Sequence, residues 1–155
     1  MLERCKTAQE RWGGVHEIID RWLKSRKALV ESYVGLREIG EYTPTDTPKV
    51  LAFCELLVDY VSTGHFEVYE QLALEAKEFH DEAALECLHK ILPELSTNTS
   101  IVLEFNDKFD TKEHCNSQLV DLPFALQTLG LLMDERFDYE NQLIEELHEA
   151  HSESA

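Results

Sequence analysis

Along nearly the whole chain, apolar residues return every three or four positions, and no stretch sustains the one-in-two alternation of a half-buried strand. Stripes with that period are buried by packing helix on helix. The first helix is predicted over about 2–39, with Cys5, Trp12, Val15, Ile19, Trp22, Leu23, Val30, Tyr33 and Val34 on one broad face and a soft spot for bending at Gly13-Gly14. Gly40 suits a helix C-terminus and two prolines follow, so GEYTPTDTP (40–48) reads as a loop. A second helix covers about 48–63 and is ended or bent at Gly64, and a shorter one covers about 65–79. Asp81 is placed to cap a third long helix that reaches about 105 and is kinked at Pro93. NDKFDTKEHCNS (106–117) is a polar connection, and the last helix runs from 119–121 to about 149, before a frayed tail over 150–155. The expected fold is all-α: one domain over 1–155, a four-helix bundle of long antiparallel helices whose second member is broken at Gly64.

A chain of 155 residues is long enough to bury a substantial core, and its net charge of −17 excludes unaided binding to nucleic acid or to an anionic membrane. The charge is uneven. Residues 1–40 carry eight Lys/Arg against six Asp/Glu, whereas residues 41–155 carry six against twenty-five. Such a field serves solubility and equally speeds association with a basic protein. There is no run of about 18 apolar residues, and the opening MLERCKTAQER lacks the apolar stretch of a signal peptide, so a cytoplasmic location is expected. Cys5, Cys54, Cys87 and Cys115 form no C-x-x-C pair and fit no zinc module; they read as reduced.

Bundles with scattered Glu and His raise a di-metal alternative, because carboxylate-bridged centres use Glu-x-x-His on two helices. The spacing occurs at Glu86/His89 and Glu145/His148. At about 100° per residue, each Glu lies roughly 160° and each His roughly 100° from the centre of its helix's apolar stripe, so the four face outward. Glycine-rich phosphate loops are absent, and the closeness of His65 to Ser62 and Thr63 does not make a nucleophile site. No metal, cofactor or enzymatic activity is expected.

Three charges fall inside apolar stripes: Arg26 on the first helix, and Arg136 and Glu140 one turn apart on the last. Charges there must be paired, either as an internal network or as a polar cluster at a partner-facing opening. The second helix has two apolar sides. Val50, Leu51, Cys54, Leu57, Val58 and Val61 form its core stripe, and Phe53, Leu56 and Tyr60 a second row, with Asp59 beside them. Such a helix is either covered, for example by residues 65–79 folded back at Gly64, or offers an exposed patch. In the second case, aromatics around one acid suit a hot spot that accepts an arginine fork.

The stretches DRWLKSRKALV (20–30), LVDYVSTGHFEVYE (57–70), LPELSTNT (92–99) and ERFDYENQLI (135–144) closely resemble the Rsd/AlgQ family of bacterial regulators of sigma D. The resemblance covers essentially the whole chain and is weakest at 40–48 and 106–117. It implies an all-α anti-sigma factor that binds the region of the housekeeping sigma factor reading the −35 element, a basic helix-turn-helix, and keeps it from polymerase core and promoter. It places contacts at Asp59. We extend them to Phe53, Leu56, Tyr60, Thr63, His65 and Phe66, where the break at Gly64 would turn His65 and Phe66 towards the partner, and to Asp20, Trp22 and Arg26. A homodimeric scaffold built on the same second-helix patch is a further alternative.

Overall fold

The structure, a computed structural model, describes the backbone of residues 2–149 and the side chains of residues 16–147. Helix α1 spans Leu2–Ile39 and closes at Gly40, whose φ of +76° is the left-handed conformation that ends a helix at least cost to glycine. A 3₁₀ turn at Pro44–Asp46 leads into α2, Thr47–Thr63. A π-turn at Gly64–Val68 joins α2 to α3, Tyr69–Glu78. Helix α4 spans Glu82–Phe109; the Asp81 carboxylate accepts the Ala84 N–H at 3.0 Å, so the expected N-cap is present. The connection at 106–117 is more ordered than its polarity suggested: α4 runs on to Phe109, and Thr111 caps a short α5, Lys112–Ser117, which buries Cys115. Helix α6 spans Leu122–Leu143 and continues as a π-turn, Ile144–Glu149. Cys5, Trp12, Val15 and His148 lie outside the described side chains, and the tail at 150–155 outside the described backbone.

Helix α1 runs antiparallel to both α2 and α6. Along α1 and α2, Trp22 meets Tyr60 and Tyr33 meets Phe53; along α1 and α6, Arg26 meets Glu140 and Tyr33 meets the Leu126 carbonyl. The inner face of α1 is carried by Ile19, Trp22, Leu29 and Leu36, while Leu23, Val30 and Val34 are exposed, so the broad face read from sequence lies off the true one by part of a turn. Helix α2 packs against α1, α4 and α5. It is therefore enclosed over a wide arc, which is why both of its apolar rows contribute to the core.

The helix does not break at Gly64. Gly64 has φ −56° and ψ −53°, ordinary right-handed values, and the Tyr69 N–H reaches back to the Gly64 carbonyl, an i to i+5 bond that widens one turn without interrupting the helix. Glycine is required here by closeness. A Cβ would lie 3.2 Å from Cζ2 and 3.3 Å from Nε1 of Trp22, and 3.3 Å from the Tyr69 hydroxyl. The indole cannot yield: Trp22 is buried, donates to the Tyr60 carbonyl at 3.3 Å, and stacks on the Tyr60 ring at 5.1 Å.

Two glycine substitutions separate closeness from helix propensity. Gly35→Ala, in exposed α1 with nothing within 4 Å of a new Cβ, is expected to stabilise by about 0.5–1 kcal/mol. Gly64→Ala is expected to destabilise by about 1 kcal/mol or more through overpacking. Urea unfolding midpoints check the pair; stabilisation by both would mean that Trp22 does not press on Gly64.

Candidate partner-binding face

The buried charges meet at one carboxylate. Glu140 is fully buried; its Oε1 accepts from the Tyr60 hydroxyl at 2.5 Å and from Arg26 Nη2 at 3.3 Å, and its Oε2 from the Tyr69 hydroxyl at 2.5 Å and Arg136 Nε at 3.2 Å. The remaining guanidinium donors are also used. Arg26 donates to the Tyr60 hydroxyl and to Asn141 Oδ1, and Arg136 to Asn98, Thr99 and the Tyr69 hydroxyl. Arg26 further lies over the rings of Trp22, Tyr60 and Phe137, 4.7 Å from the last, a stacking that lysine could not reproduce. Of the two sequence readings, the internal network is the one the structure contains. Desolvation raises the Glu140 carboxyl above its ordinary value, and Arg136, the two phenols and Arg26 oppose that shift. Burial, then the Glu140 charge, push Tyr60 and Tyr69 well above the ordinary tyrosine value.

This geometry corrects the expected docking row. Phe53 is buried between the rings of Tyr33 and Phe105, and Tyr60 between Trp22 and Phe137; neither is open to a visitor. Their cover comes from α1, α4 and α6, and not from residues 65–79, which continue the helix instead of folding back. Trp22 is likewise buried, Leu56 is half-buried, and Arg26 is committed to Glu140 and Tyr60 with little exposure. A homodimer through a Phe53–Leu56–Tyr60 patch loses its surface for the same reason. The charge signal found Arg26, Arg136 and Glu140 but not Tyr60 and Tyr69. Two guanidiniums around one carboxylate demand further acceptors and donors within the same stripes, and that imbalance was the available clue.

What remains exposed forms a ridge. Asp59 and Phe66 lie one above the other on the outward side of the α2/π-turn helix, seven residues apart, with Glu55 one turn below Asp59 and half-buried Thr63 between them. Asp59 is exposed and outside every ion pair and hydrogen bond among the described residues, and Phe66 is 67% exposed. Each flank of the ridge holds a hollow. Towards α1 lies a polar one of about 170 Å³, lined by Ile18, Arg21, Trp22, Ser25, Thr63 and Glu67. Towards α4 lies a larger one of about 360 Å³ beside His65. His65 is exposed, edge-on to Phe66 at 5.1 Å. Asp20 is exposed on the outward side of α1, one position beyond Arg21 at the groove, and is not brought to Asp59. Glu86, His89 and Glu145 are exposed, as their wheel positions required, and no cluster able to hold a metal occurs among the described residues.

A family model described as "Regulator of RNA polymerase sigma(70) subunit, Rsd/AlgQ" matches residues 1–148. The chain belongs to the Rsd/AlgQ family. Among its Rsd/AlgQ relatives, the regulator of sigma D of Yersinia enterocolitica is 34% identical over 149 residues, 94% of this chain and 89% of that protein. That of Yersinia pseudotuberculosis is 35% identical over 149 residues, 94% and 88% of the two chains. That of Pectobacterium atrosepticum is 31% identical over 153 residues, 96% and 99% of the two. Among the described residues, no helix is long and apolar enough to cross a membrane.

Removing one member of a buried pair strands the others, so Arg136→Ala is expected to cost about 3–5 kcal/mol in urea unfolding; an unchanged midpoint would contradict the network. The two tyrosines add a pH dependence. Once unfolded they lose protons near pH of about 10, whereas the folded protein keeps them protonated above that, so the folded state binds more protons and stability falls as pH climbs past 10. In a titration at 295 nm, Tyr60 and Tyr69 should ionise only as the helical circular dichroism is lost. Ionisation of all five tyrosines on a still-helical protein would contradict their burial.

Proposed function

We propose that this protein is a non-enzymatic, cytoplasmic anti-sigma factor. It binds the C-terminal, −35-reading region of the housekeeping sigma factor and withholds it from RNA polymerase core and from the promoter. We read its helices as one four-helix-bundle domain that presents the Asp59 ridge as the docking surface.

One observation carries the reading. In a family of sigma(70) regulators, the chain keeps a carboxylate at Asp59 that is exposed and, among the described residues, unpaired, on the outward side of a helix whose inner side is fixed by the Glu140 network. Glu55 and Glu67 are also exposed near it on the same helix, and residues 41–155 as a whole are strongly acidic. A helix that reads DNA is basic, because it must lie against phosphates. An acidic ridge can attract that helix through its long-range field and then pair with one of its arginines in a bidentate fork. A protein so held has its DNA-reading surface occluded, which is sufficient for sequestration. The partner contacts are Asp59, Thr63, His65 and Phe66 with the exposed part of Leu56; Asp20 is a peripheral contact, and Phe53, Tyr60, Trp22 and Arg26 support the surface from beneath.

The test is calorimetric titration with the purified C-terminal region of the housekeeping sigma factor. Asp59→Ala is expected to weaken binding by about 2 kcal/mol or more with helix content unchanged. Affinity should also fall as salt is raised, since screening acts on the field that steers the encounter. Equal affinity for both proteins, or a flat salt series, would refute the reading.

A further inference from the structure

The hollow on the α4 side of the ridge is lined by His65, Tyr69, His89, Leu92, Pro93, Leu95 and Ser96. A π-turn and a proline-bearing helical turn face each other across it. One wall is the π-turn, with its i to i+5 bond between Gly64 and Tyr69; the other is the α4 turn around Pro93. Pro93 has no N–H to give to the His89 carbonyl four residues earlier, and it places a flat ring where a regular helix would present a flexible side chain. π-Turns inside α-helices gather at functional sites. The hollow is also chemically unlike its surroundings. In a chain with 31 acidic residues, none of its seven lining residues is Asp, Glu, Lys or Arg; Leu95 and Tyr69 are buried beneath it, and two imidazoles and a serine hydroxyl are the polar side chains at its exposed rim.

Resting on the reading of the ridge as a sigma-binding surface, we propose that this hollow seats an apolar side chain of the same partner, of leucine to phenylalanine size, projecting from the basic helix that Asp59 engages. Three features select that occupant. The hollow shares His65 with the ridge, so a helix lying along Phe66 and Asp59 passes its mouth. Its lack of carboxylate, ammonium and guanidinium groups suits an apolar group, while the acidic ridge beside it demands that the segment bearing this group be basic. Phe66 and His65, packed edge to face at 83°, make one lip of an open hollow, which fits a side chain delivered by a larger surface better than a free small molecule, because pockets for the latter enclose most of their ligand. An apolar anchor in a pocket beside a charged pair is the arrangement that concentrates binding energy in protein interfaces. The floor of the hollow is also fixed, since the Tyr69 hydroxyl is held by Glu140 and Arg136.

The experiment fills the hollow from its exposed rim. Ser96→Trp and His89→Trp, both at exposed helical positions, are titrated alongside Asp59→Ala and the control Gln127→Ala, exposed on α6 and outside the hollow, against the purified sigma C-terminal region, with thermal midpoint and circular dichroism recorded for each. Both tryptophan variants are expected to bind at least tenfold more weakly with native midpoints, and Gln127→Ala to bind as the parent does. Parental affinity in both tryptophan variants, with Asp59→Ala impaired, overturns the anchor seat and leaves the ridge standing. Parental affinity in Asp59→Ala together with weakened tryptophan variants removes the acidic ridge but supports the seat. No binding by the parent protein removes both.

Discussion

The structure depends on burying one carboxylate that four side chains share. Glu140 has no exposure and takes part in contacts with Arg26, Arg136, Tyr60 and Tyr69, drawn from α1, α6, α2 and the start of α3. Taking such a group from water is costly, and the cost is offset only when every partner arrives in register. A slip of one residue in any of the four segments would leave a guanidinium or the carboxylate unpaired. The network therefore acts as a register device: apolar stripes alone would tolerate sliding, whereas hydrogen bonds converging on two oxygens do not. The π-turn belongs to the same device. By widening one turn after Tyr60 it brings Tyr69 to the second oxygen, and Gly64 leaves room for the indole that caps the arrangement.

This order has a consequence for the surface. Asp59 directly precedes Tyr60, which is buried and bonded, so the helix turn bearing the exposed carboxylate is held in place from beneath. A rigid carboxylate loses little freedom on meeting a guanidinium, which is how preorganisation favours binding. The ridge is thus sharp because its underside is crowded. The four stretches that carry the resemblance to the Rsd/AlgQ family contain every residue of the network, among them Arg26, Tyr60, Tyr69, Asn98, Arg136 and Glu140, together with Asp59 itself.

Much of the fold was legible in the residues. Gly40 marked the end of α1, Asp81 the start of α4, and the helical wheels correctly turned Glu86 and His89 outward and Arg26, Arg136 and Glu140 inward. Two inferences failed for identifiable reasons. Gly64 was read as a break because glycine lowers helix propensity, but tertiary closeness to Trp22 decides the residue there. Phe53 and Tyr60 were offered as a docking row, with residues 65–79 folded back as the only cover considered, whereas α2 meets α1, α4 and α5 around a wide arc. Periodicity gives the direction of a side chain and not the number of neighbours waiting for it. The short α5 escaped notice because five polar residues and one cysteine, with a threonine cap, carry too little apolar signal.

The proposed docking surface for the sigma factor is the ridge of Asp59 and Phe66, with its flanking hollows, and not the exposed apolar residues Phe124 and Leu131 on α6. Amide hydrogen exchange of the full chain, with and without the sigma C-terminal region, tests this most directly. New protection is expected to concentrate in residues 55–70 and 89–96, with little change along 122–133. Protection confined to 122–133, with the ridge exchanging as in the free protein, would contradict it.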